Sequence, residues 1–261
     1  MPPLRILLLG GTGEASALAD ALAGDDRFAP VLSLAGRTVA PRLPDIAVRS
    51  GGFGGAEGLV AYLIEHRVQA LVVATHPFAA QMRRNAVAAM RVLPLPVLLI
   101  ERPPWQAGEG DNWQSVPDMA QAAAALGETP RRVLLTIGRK DLAPFAAAPH
   151  HYYVVRSVDA PPAEALPGAD IITARGPFTA AADRAMLIAQ RIEVIVTKNS
   201  GGAATVGKLQ AARELGLPVV MVARPAWPDI AGLDAQTAID AAGAMAWLEK
   251  LHVIVSTERG V

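Results

Sequence analysis

LRILLLGGTGEAS, at residues 4–16, joins a short apolar run to a cluster of glycines. A run of this length is typical of a buried parallel strand, and the leucines and alanines that follow it have a helical pattern. Gly10, Gly11 and Gly13 suit the tight turn between such a strand and helix, where backbone N–H groups approach a phosphate closely. The stretch therefore predicts a nucleotide-binding turn.

The glycine turn is a weak signal when it stands alone. The dinucleotide pattern G-x-G-x-x-G/A falls on Gly11, Gly13 and Ser16, and the last of these is small without being glycine or alanine. A turn that uses glycine only for its geometry is the alternative interpretation. The predicted cofactor contacts in this turn are Gly11, Thr12, Gly13 and Glu14.

The predicted second strand ends without the acidic residue that NAD enzymes use. In those enzymes a carboxylate roughly 20 residues further on binds the ribose 2′-OH. Here the strand is followed by Gly36, Arg37 and Thr38, and a guanidinium matches the geometry of a 2′-phosphate. These three residues predict NADPH as the cofactor, and an ordinary solvated arginine is the alternative.

The composition excludes several classes of protein. The chain has 261 residues, 52% of them hydrophobic, which suffices for one large or two small domains. Its 24 basic and 24 acidic residues balance, so bulk charge does not favour binding to nucleic acid or to a membrane surface. The absence of cysteine excludes disulfides and thiolate sites. With no visible leader or membrane-spanning segment, we expect a cytoplasmic enzyme.

Short β-rich runs alternate with alanine-rich helical segments along the chain. This alternation predicts an α/β protein with two Rossmann-like or flavodoxin-like doubly wound parallel sheets and an active site in the cleft between them. We expect an NADPH domain at 1–110 and a substrate domain at 111–250, with a proline- and glycine-rich connection at 102–114. A helix is predicted at 235–250, and 252–255 is a candidate last strand, so 251–261 would return to the first sheet.

The two halves of the sequence resemble each other. An offset of 122 residues aligns Thr75 with Thr197, and it also aligns the two R-P-x-W segments that end in Trp105 and Trp227. In each half a strand, a threonine turn, a helix and an LPV strand precede that segment. The repeat suggests a duplication and predicts two similar sheets, with the tryptophans packed at corresponding corners.

Polar residues concentrate at the predicted carboxyl ends of the strands, where ligands bind in doubly wound sheets. The first half has mainly glycine and backbone donors there, whereas the second half has four cations. Such a set suits a substrate with several carboxylates, although loop cations are often only solvated. The predicted substrate-binding residues are Arg139, Lys140, Arg175, Lys198, Asn199, Ser200 and Gly201.

Three further residues are predicted to contact the cofactor. Gly52 and Phe53 belong to a glycine-rich turn that is expected to approach the nicotinamide half, and Thr75 follows the predicted fourth strand. For Phe53, ring stacking and a simple loop plug are equally open.

His76 and Asp141 are the candidates for proton delivery. Histidine titrates near neutrality, and an aspartate becomes an acid when burial raises its pKa. A purely hydrogen-bonding role is open for each residue, and water is a further proton source. His150 and His151 have no acidic or cysteine ligand near them in sequence, so no metal site is predicted.

Six segments taken together resemble the precorrin-6A reductase family. They are LLLGGTGEAS at 7–16, SLAGR at 33–37, R-x-GGFGG at 49–55, ATHPFA at 74–79, ERPPW at 101–105 and TKNSGG at 197–202. The resemblance implies NADPH-dependent reduction of one ring double bond of precorrin-6A, or of its cobalt-bearing equivalent, to precorrin-6B in cobalamin biosynthesis. It also implies a tetrapyrrole substrate, whose acetate and propionate groups would suit the cations of the second half.

Two other functions stay open when only the residues are considered. One is a non-catalytic NADP-binding redox sensor, although a second sheet with four loop cations has no obvious purpose in such a protein. The other is an NADPH reductase of a different conjugated substrate with several carboxylates. The fold alone does not separate these functions. No exposed apolar stripe stands out, so the sequence indicates no oligomeric state.

Overall fold

The structure is a computed structural model that describes residues 2–36 and 43–258, and its chain forms two compact α/β units. Unit 1 comprises the chain up to Arg102 and from Ala226 onwards, and unit 2 comprises Pro103–Pro225. The strands are β1 (Leu4–Leu9), β2 (Phe28–Leu34), β3 (Ala47–Ser50), β4 (Ala70–Val73), β5 (Val97–Ile100), β6 (Trp113–Val116), β7 (Arg132–Thr136), β8 (Tyr152–Ser157), β9 (Asp170–Thr173), β10 (Val194–Lys198), β11 (Val219–Val222) and β12 (Ala235–Ala238). The α-helices are α1 (Gly13–Leu22), α2 (Ala56–Glu65), α3 (Ala80–Val92), α4 (Met119–Ala124), α5 (Ala143–Ala146), α6 (Ala180–Ala189), α7 (Gly207–Leu215) and α8 (Ala241–Glu258).

Each unit is built on a six-stranded sheet whose neighbouring strands are parallel. The order is β3-β2-β1-β4-β5-β12 in unit 1 and β9-β8-β7-β10-β11-β6 in unit 2. The first is the 3-2-1-4-5-6 order of dinucleotide-binding folds, and unit 2 repeats its first five positions. The predicted class of two doubly wound parallel sheets is confirmed, and the shared order agrees with a duplication.

Helices cover both faces of the sheet in unit 1, as a parallel sheet requires. On one face, Leu8 packs against α1 and α8 together with Leu18 and Leu248. On the other face, Leu7 packs with Leu59 of α2 and with the buried side of α3. Because β1 is buried on both sides after Arg5, its sequence from Ile6 to Leu9 is continuously apolar instead of alternating. In unit 2, a corresponding cluster joins the sheet to α6 and α7.

The chain returns to unit 1 at Ala226, earlier than the expected return at 251. The reason is the open edge of β5, along which β12 adds as a parallel strand, with Ala235 opposite Val97. The expected connection at 102–114 also ends in the first residues of β6, which pairs with β11. Because both of these edge strands have only four residues and mixed polarity, the sequence pattern did not reveal them.

The prediction of a last strand at 252–255 is wrong, because those residues belong to α8. Ala244, Leu248 and Leu251 recur at intervals of about one helical turn, and all three are buried in the cluster that holds α1 and β1. Val255 continues that stripe as a partly buried member. Helical packing on unit 1 therefore outweighs the β-propensity of the apolar run.

Candidate functional site

The carboxyl ends of β1 and β4 meet at the topological switch point of unit 1, where ligands bind in open α/β sheets. Thr12 joins the two ends. Its hydroxyl donates to the carbonyl oxygen of Ala74 at 2.8 Å and accepts from the amide of Ala15 at 3.2 Å, so it is also the N-cap of α1. The predicted turn thus lies at a helix N-terminus beside the switch point.

The glycines of this turn have three different physical roles. A Cβ at Gly10 would lie 2.6 Å from Cδ1 of Leu32, so this position is glycine for close packing. Gly11 has a φ of +124°, which side chains rarely adopt. A Cβ at Gly13 would meet nothing within 4 Å, so the space above the helix is open. Within the described part of the chain, the backbone N–H groups of Gly13 and Glu14 do not donate to any acceptor. This open helix N-terminus fits the pyrophosphate of a dinucleotide.

The side chain of Glu14 is committed to an ion pair. Its Oε2 atom lies 2.7 Å from Nη1 of Arg102, which follows β5, and both side chains are mostly buried. An unpaired carboxylate at this helix end would repel a phosphate. Pairing with Arg102 offsets that charge, so Glu14 is suited to bind a cofactor through its amide but not through its carboxylate.

The predicted 2′-phosphate residues are only partly described. Gly36 has a φ of +66° and follows the end of β2, whereas Arg37 and Thr38 fall in 37–42, outside the described residues. Sequence reasoning missed a cation at the same place: Nη1 of Arg49 donates to Oγ of Ser33 at 2.7 Å, near the end of β2. The motif R-x-GGFGG contains this arginine, but nothing in its spacing revealed where the side chain lies.

The turn that contains Gly52 and Phe53 lies beside the carboxyl end of β2. The amide of Gly51 donates to the carbonyl oxygen of Leu34 at 2.9 Å, and the carbonyl oxygen of Gly52 accepts from Arg49 at 3.0 Å. In folds of this class the end of β2 faces the adenosine ribose, so the expected approach of this turn to the nicotinamide half is not supported. The ring of Phe53 lies 3.8 Å from the Arg49 guanidinium carbon, a stacking role within the protein.

Thr75 and His76 follow β4 at the switch point. The Thr75 hydroxyl is buried and has no hydrogen-bond partner among residues 2–36 and 43–258. Such an orphaned group beside the glycine turn is consistent with a site that receives a polar ligand. Nδ1 of His76 accepts from the amide of Phe78 at 3.2 Å, which places the proton of the neutral ring on Nε2.

A buried arginine that the sequence did not reveal lies nearby in unit 1. Arg83 of α3 is 1% exposed, its Nη2 atom is 3.3 Å from Oε1 of Glu101, and it lies 4.1 Å from the ring of Trp227. Trp227 in turn donates its indole N–H to Glu101. Burial lowers the pKa of Arg83 from its ordinary value. Nε and Nη1 of this arginine find no acceptor in the described part of the chain.

The switch point of unit 2 is occupied by charged side chains instead of glycines. Nζ of Lys198, at the end of β10, lies 2.5 Å from Oδ2 of Asp141, in the turn after β7. Arg139 has an acidic neighbour too, with 3.6 Å between its Nη2 and Oδ2 of Asp159. The structure therefore brings two predicted site residues, Asp141 and Lys198, into direct contact. Lys140 and Arg175 are exposed.

Asn199 and Gly201, predicted to bind substrate, hold a neighbouring chain segment. Both polar atoms of the Asn199 side chain bond to the backbone of Trp105, with Oδ1 accepting at 2.8 Å and Nδ2 donating at 2.9 Å. Gly201 has a φ of +65°, and a Cβ there would lie 2.2 Å from the carbonyl oxygen of Pro103. Ser200 donates locally to the carbonyl oxygen of Lys198 at 3.3 Å. Asn199 and Gly201 therefore hold the segment of Pro103 and Trp105 in place, and Asn199 uses one N–H of Nδ2 and one acceptor position of Oδ1 to do so.

A buried lysine, Lys208 of α7, supports the same segment. It is 3% exposed, its Nζ donates to the carbonyl oxygen of Thr205 at 2.7 Å, and it lies 4.8 Å from the ring of Trp105. Burial, with help from the nearby Arg156, lowers the pKa of Lys208 to about 7, against the opposing effect of Asp183. Trp105 and Trp227 thus each lie against a basic side chain of the helix after the fourth sheet position, although the offset of 122 residues does not align Arg83 with Lys208.

Among the described residues, no helix combines the length and apolar character that crossing a membrane needs. Over the same ranges, 2–36 and 43–258, no group of three or more histidine or acidic side chains is arranged to hold a metal ion.

The fold and the open glycine turn define a two-unit α/β protein of the dinucleotide-binding class. A family model described as precorrin-6x reductase CbiJ/CobK matches residues 5–249. The chain is 46% identical over 247 residues to the precorrin-6A reductase of Rhodococcus erythropolis, covering 95% of this chain and 98% of that one. It is 51% identical over 225 residues to the precorrin-6A reductase of Rhodobacter capsulatus, covering 86% and 89%.

A solved structure titled CobK precorrin-6A reductase is 47% identical in sequence, with a TM-score of 0.87 over 95% of this chain and 96% of that one. The chain therefore belongs to the precorrin-6A reductase family. Membership confirms the resemblance predicted from the six sequence segments, and it identifies the protein as an oxidoreductase.

Proposed function

We propose that this protein uses NADPH to reduce a ring double bond of precorrin-6A, giving precorrin-6B in cobalamin biosynthesis. Family membership carries the proposal. Relatives named precorrin-6A reductase are 45–51% identical to this chain, whereas relatives named cobalt-precorrin-6A reductase are 27–34% identical, and this difference favours the cobalt-free substrate. The open helix N-terminus after β1 supports a dinucleotide cofactor, and the loop cations of unit 2 support a substrate rich in carboxylates. A cytoplasmic location stays a prediction.

Bound NADPH would supply the hydride, and the chain supplies binding, orientation and a proton. The amides of Gly13 and Glu14 suit its pyrophosphate, and Gly36 with Arg37 and Thr38 suits its adenosine ribose phosphate. Holding a flat substrate in one orientation against the cofactor, with water excluded, contributes much of the rate enhancement. Lys198, Lys140, Arg139 and Arg175 are the proposed carboxylate-binding residues.

His76 is better suited than Asp141 to deliver the proton. Because Nδ1 of His76 accepts a backbone N–H, its Nε2 atom carries a proton that it can donate. Oδ2 of Asp141 accepts a hydrogen bond from Nζ of Lys198 at 2.5 Å, a contact that suits it to hold this lysine in place. We therefore assign the proton to His76 and the orientation of Lys198 to Asp141.

Anaerobic incubation with precorrin-6A and NADPH tests the activity. We expect the absorbance of the substrate chromophore to change while one equivalent of NADPH is oxidised. Parallel reactions with NADH should be much slower. An unchanged chromophore in the presence of folded protein and NADPH would contradict the proposed reaction.

Replacing Lys198 tests the substrate site. Lys198→Ala removes one carboxylate partner and leaves Asp141 to repel the substrate, so the KM for precorrin-6A should rise about tenfold or more while NADPH affinity is unchanged. The double variant with Asp141→Asn should recover part of the loss. Lys250→Ala, an exposed lysine of α8, is the control. A loss confined to NADPH affinity would instead move Lys198 to the nucleotide site.

A further inference from the structure

Arg49 is fixed by the backbone around it. Its Nη1 atom donates to Oγ of Ser33 at 2.7 Å and to the carbonyl oxygen of Gly51 at 3.2 Å, and its Nη2 atom donates to the carbonyl oxygen of Gly52 at 3.0 Å. One face of the guanidinium lies on the ring of Phe53, 3.8 Å from its centre. The head group is therefore held at the carboxyl ends of β2 and β3.

These contacts leave two N–H groups of the guanidinium without an acceptor among the described residues. A guanidinium has five N–H groups, and the bonds to Ser33, Gly51 and Gly52 use three of them. The Nε–H and one N–H of Nη2 have no acceptor among the described residues. In this same chain, Nε and Nη2 of Arg213 bind the carboxylate of Asp111 at 3.0 and 2.7 Å, which shows what this pair of atoms does when an oxyanion is present.

No acid of the described chain neutralises Arg49. No carboxylate within residues 2–36 and 43–258 lies within ion-pair distance of it, and the sequence of 37–42, RTVAPR, contains no acidic residue. An arginine that is half-buried, stacked and without a counter-ion is a preorganised anion site, because little side-chain entropy remains to be lost on binding.

The position of Arg49 identifies the anion. Ser33, to which it bonds, lies on β2 opposite Arg49 in the sheet register. Gly36 follows the end of that strand, and a Cβ there would lie 3.8 Å from the amide nitrogen of Gly51. In folds with this strand order the end of β2 receives the adenosine ribose, with its 2′-phosphate in NADP enzymes.

We propose that Arg49 binds the 2′-phosphate of NADPH through its Nε and Nη2 atoms and is a determinant of NADPH specificity in addition to Arg37. This inference rests on the proposed use of NADPH. The contacts of Arg49 with the turn would by themselves give it only a structural role. A bound 2′-phosphate would also explain why a guanidinium without a counter-ion lies beside the end of β2.

Equilibrium titration of the full chain tests this assignment with four ligands: NADPH, NADH, adenosine 2′,5′-bisphosphate and adenosine 5′-monophosphate. Wild-type protein should prefer the 2′-phosphorylated member of each pair. Arg49→Gln should reduce affinity for the phosphorylated ligands about 10- to 100-fold and leave the other two nearly unchanged. Arg49→Lys, which keeps the charge but not the paired donors, should lose less. Arg84→Ala, an exposed arginine of α3, is the matched control.

The outcomes separate this inference from the proposed function. A wild-type protein that does not discriminate between NADPH and NADH would overturn both NADPH use and the role of Arg49. A wild-type preference that persists in Arg49→Gln and Arg49→Lys would overturn only the role of Arg49. Equal losses for all four ligands, with a lowered Tm, would show that Arg49 only shapes the turn, and would also overturn the assignment.

Discussion

Lys208 combines deep burial with a titratable charge. Within residues 2–36 and 43–258 its Nζ makes a single hydrogen bond, to the carbonyl oxygen of Thr205, and the same atom lies 4.8 Å from the centre of the Trp105 ring. The other ionisable groups that affect it, Arg156 and Asp183, form a buried ion pair with each other. Because its pKa falls to about 7 in the folded protein, well below the ordinary value for lysine, the fold favours the neutral amine.

This shift predicts a pH-dependent stability. Between about pH 7 and the pKa of an unfolded lysine, about 10.4, the unfolded state binds more protons, so the free energy of unfolding should rise with pH across that window. Lys208→Met should flatten the rise, and its stability relative to wild type should be most favourable at or below about pH 7. Urea unfolding at several pH values measures this, with exposed Lys250→Met as control. Parallel curves for wild type and Lys208→Met would contradict the buried-amine interpretation.

The residues that could be predicted are those whose role depends on local backbone geometry. Gly11 and Gly13 stand out because a strand, a turn and a helix adjoin in sequence, and Thr12 is recognisable as a cap. Arg49, Arg83 and Lys208 could not be predicted. Their roles come from contacts with residues that are distant in sequence or lie across a turn. The sequence of an alanine-rich helix also does not show whether a basic side chain in it points towards the core.

The last helix stabilises the first strand. Leu248 of α8 is 0% exposed and shares a cluster with Leu8 and Leu18. Leu248→Ala should therefore lower the free energy of unfolding by about 2 to 5 kcal/mol, through lost burial and the cavity that remains. Chemical denaturation followed by circular dichroism measures it, with exposed Lys250→Ala expected to change little. A loss for Leu248→Ala as small as that of the control would contradict the packing of α8 on β1.

Element type followed from periodicity wherever an element was long or buried on both sides. The central strand β4 is apolar throughout, and β1, β7 and β10 each contain an uninterrupted apolar run. The amphipathic helices have a period near 3.6. The edge strands β6 and β12 escaped prediction because their backbones pair with a neighbour whatever their side chains are. The run VIV in α8 suggested a strand because its residues are β-branched, but only Val255 joins the buried stripe of the helix, and Val253 and Ile254 are exposed.

The molecule has one continuous unit and one interrupted unit. All six strands of the sheet in unit 2 come from Pro103–Pro225, whereas the sheet of unit 1 takes β12 from beyond it. Sequence alone indicated two halves, but their division depends on where β12 pairs, a long-range contact that no local pattern specifies. The repeat with its offset of 122 residues revealed the shared strand order better than it revealed the boundaries.

This organisation predicts how fragments behave. Residues 103–225 alone should fold and unfold in a single cooperative urea transition, because their sheet is complete. Residues 1–102 alone should fail to fold, since the face of the sheet that α8 covers would be exposed. A chain in which a flexible linker replaces 103–225 should regain structure. Circular dichroism and urea unfolding measure whether each fragment folds. A cooperative transition for residues 1–102 alone would contradict the prediction that unit 1 needs its C-terminal part.

The interrupted course of unit 1 has a consequence for biosynthesis. As the nascent polypeptide leaves the ribosome, β1 to β5 emerge first, yet they must wait for β12 and α8 before their sheet is closed. Unit 2 is encoded later than β1 to β5, yet all of its strands have emerged before β12 does. During translation the inserted unit should therefore complete its sheet first, and the face of the unit 1 sheet that α8 covers stays exposed until residues 241–258 have emerged.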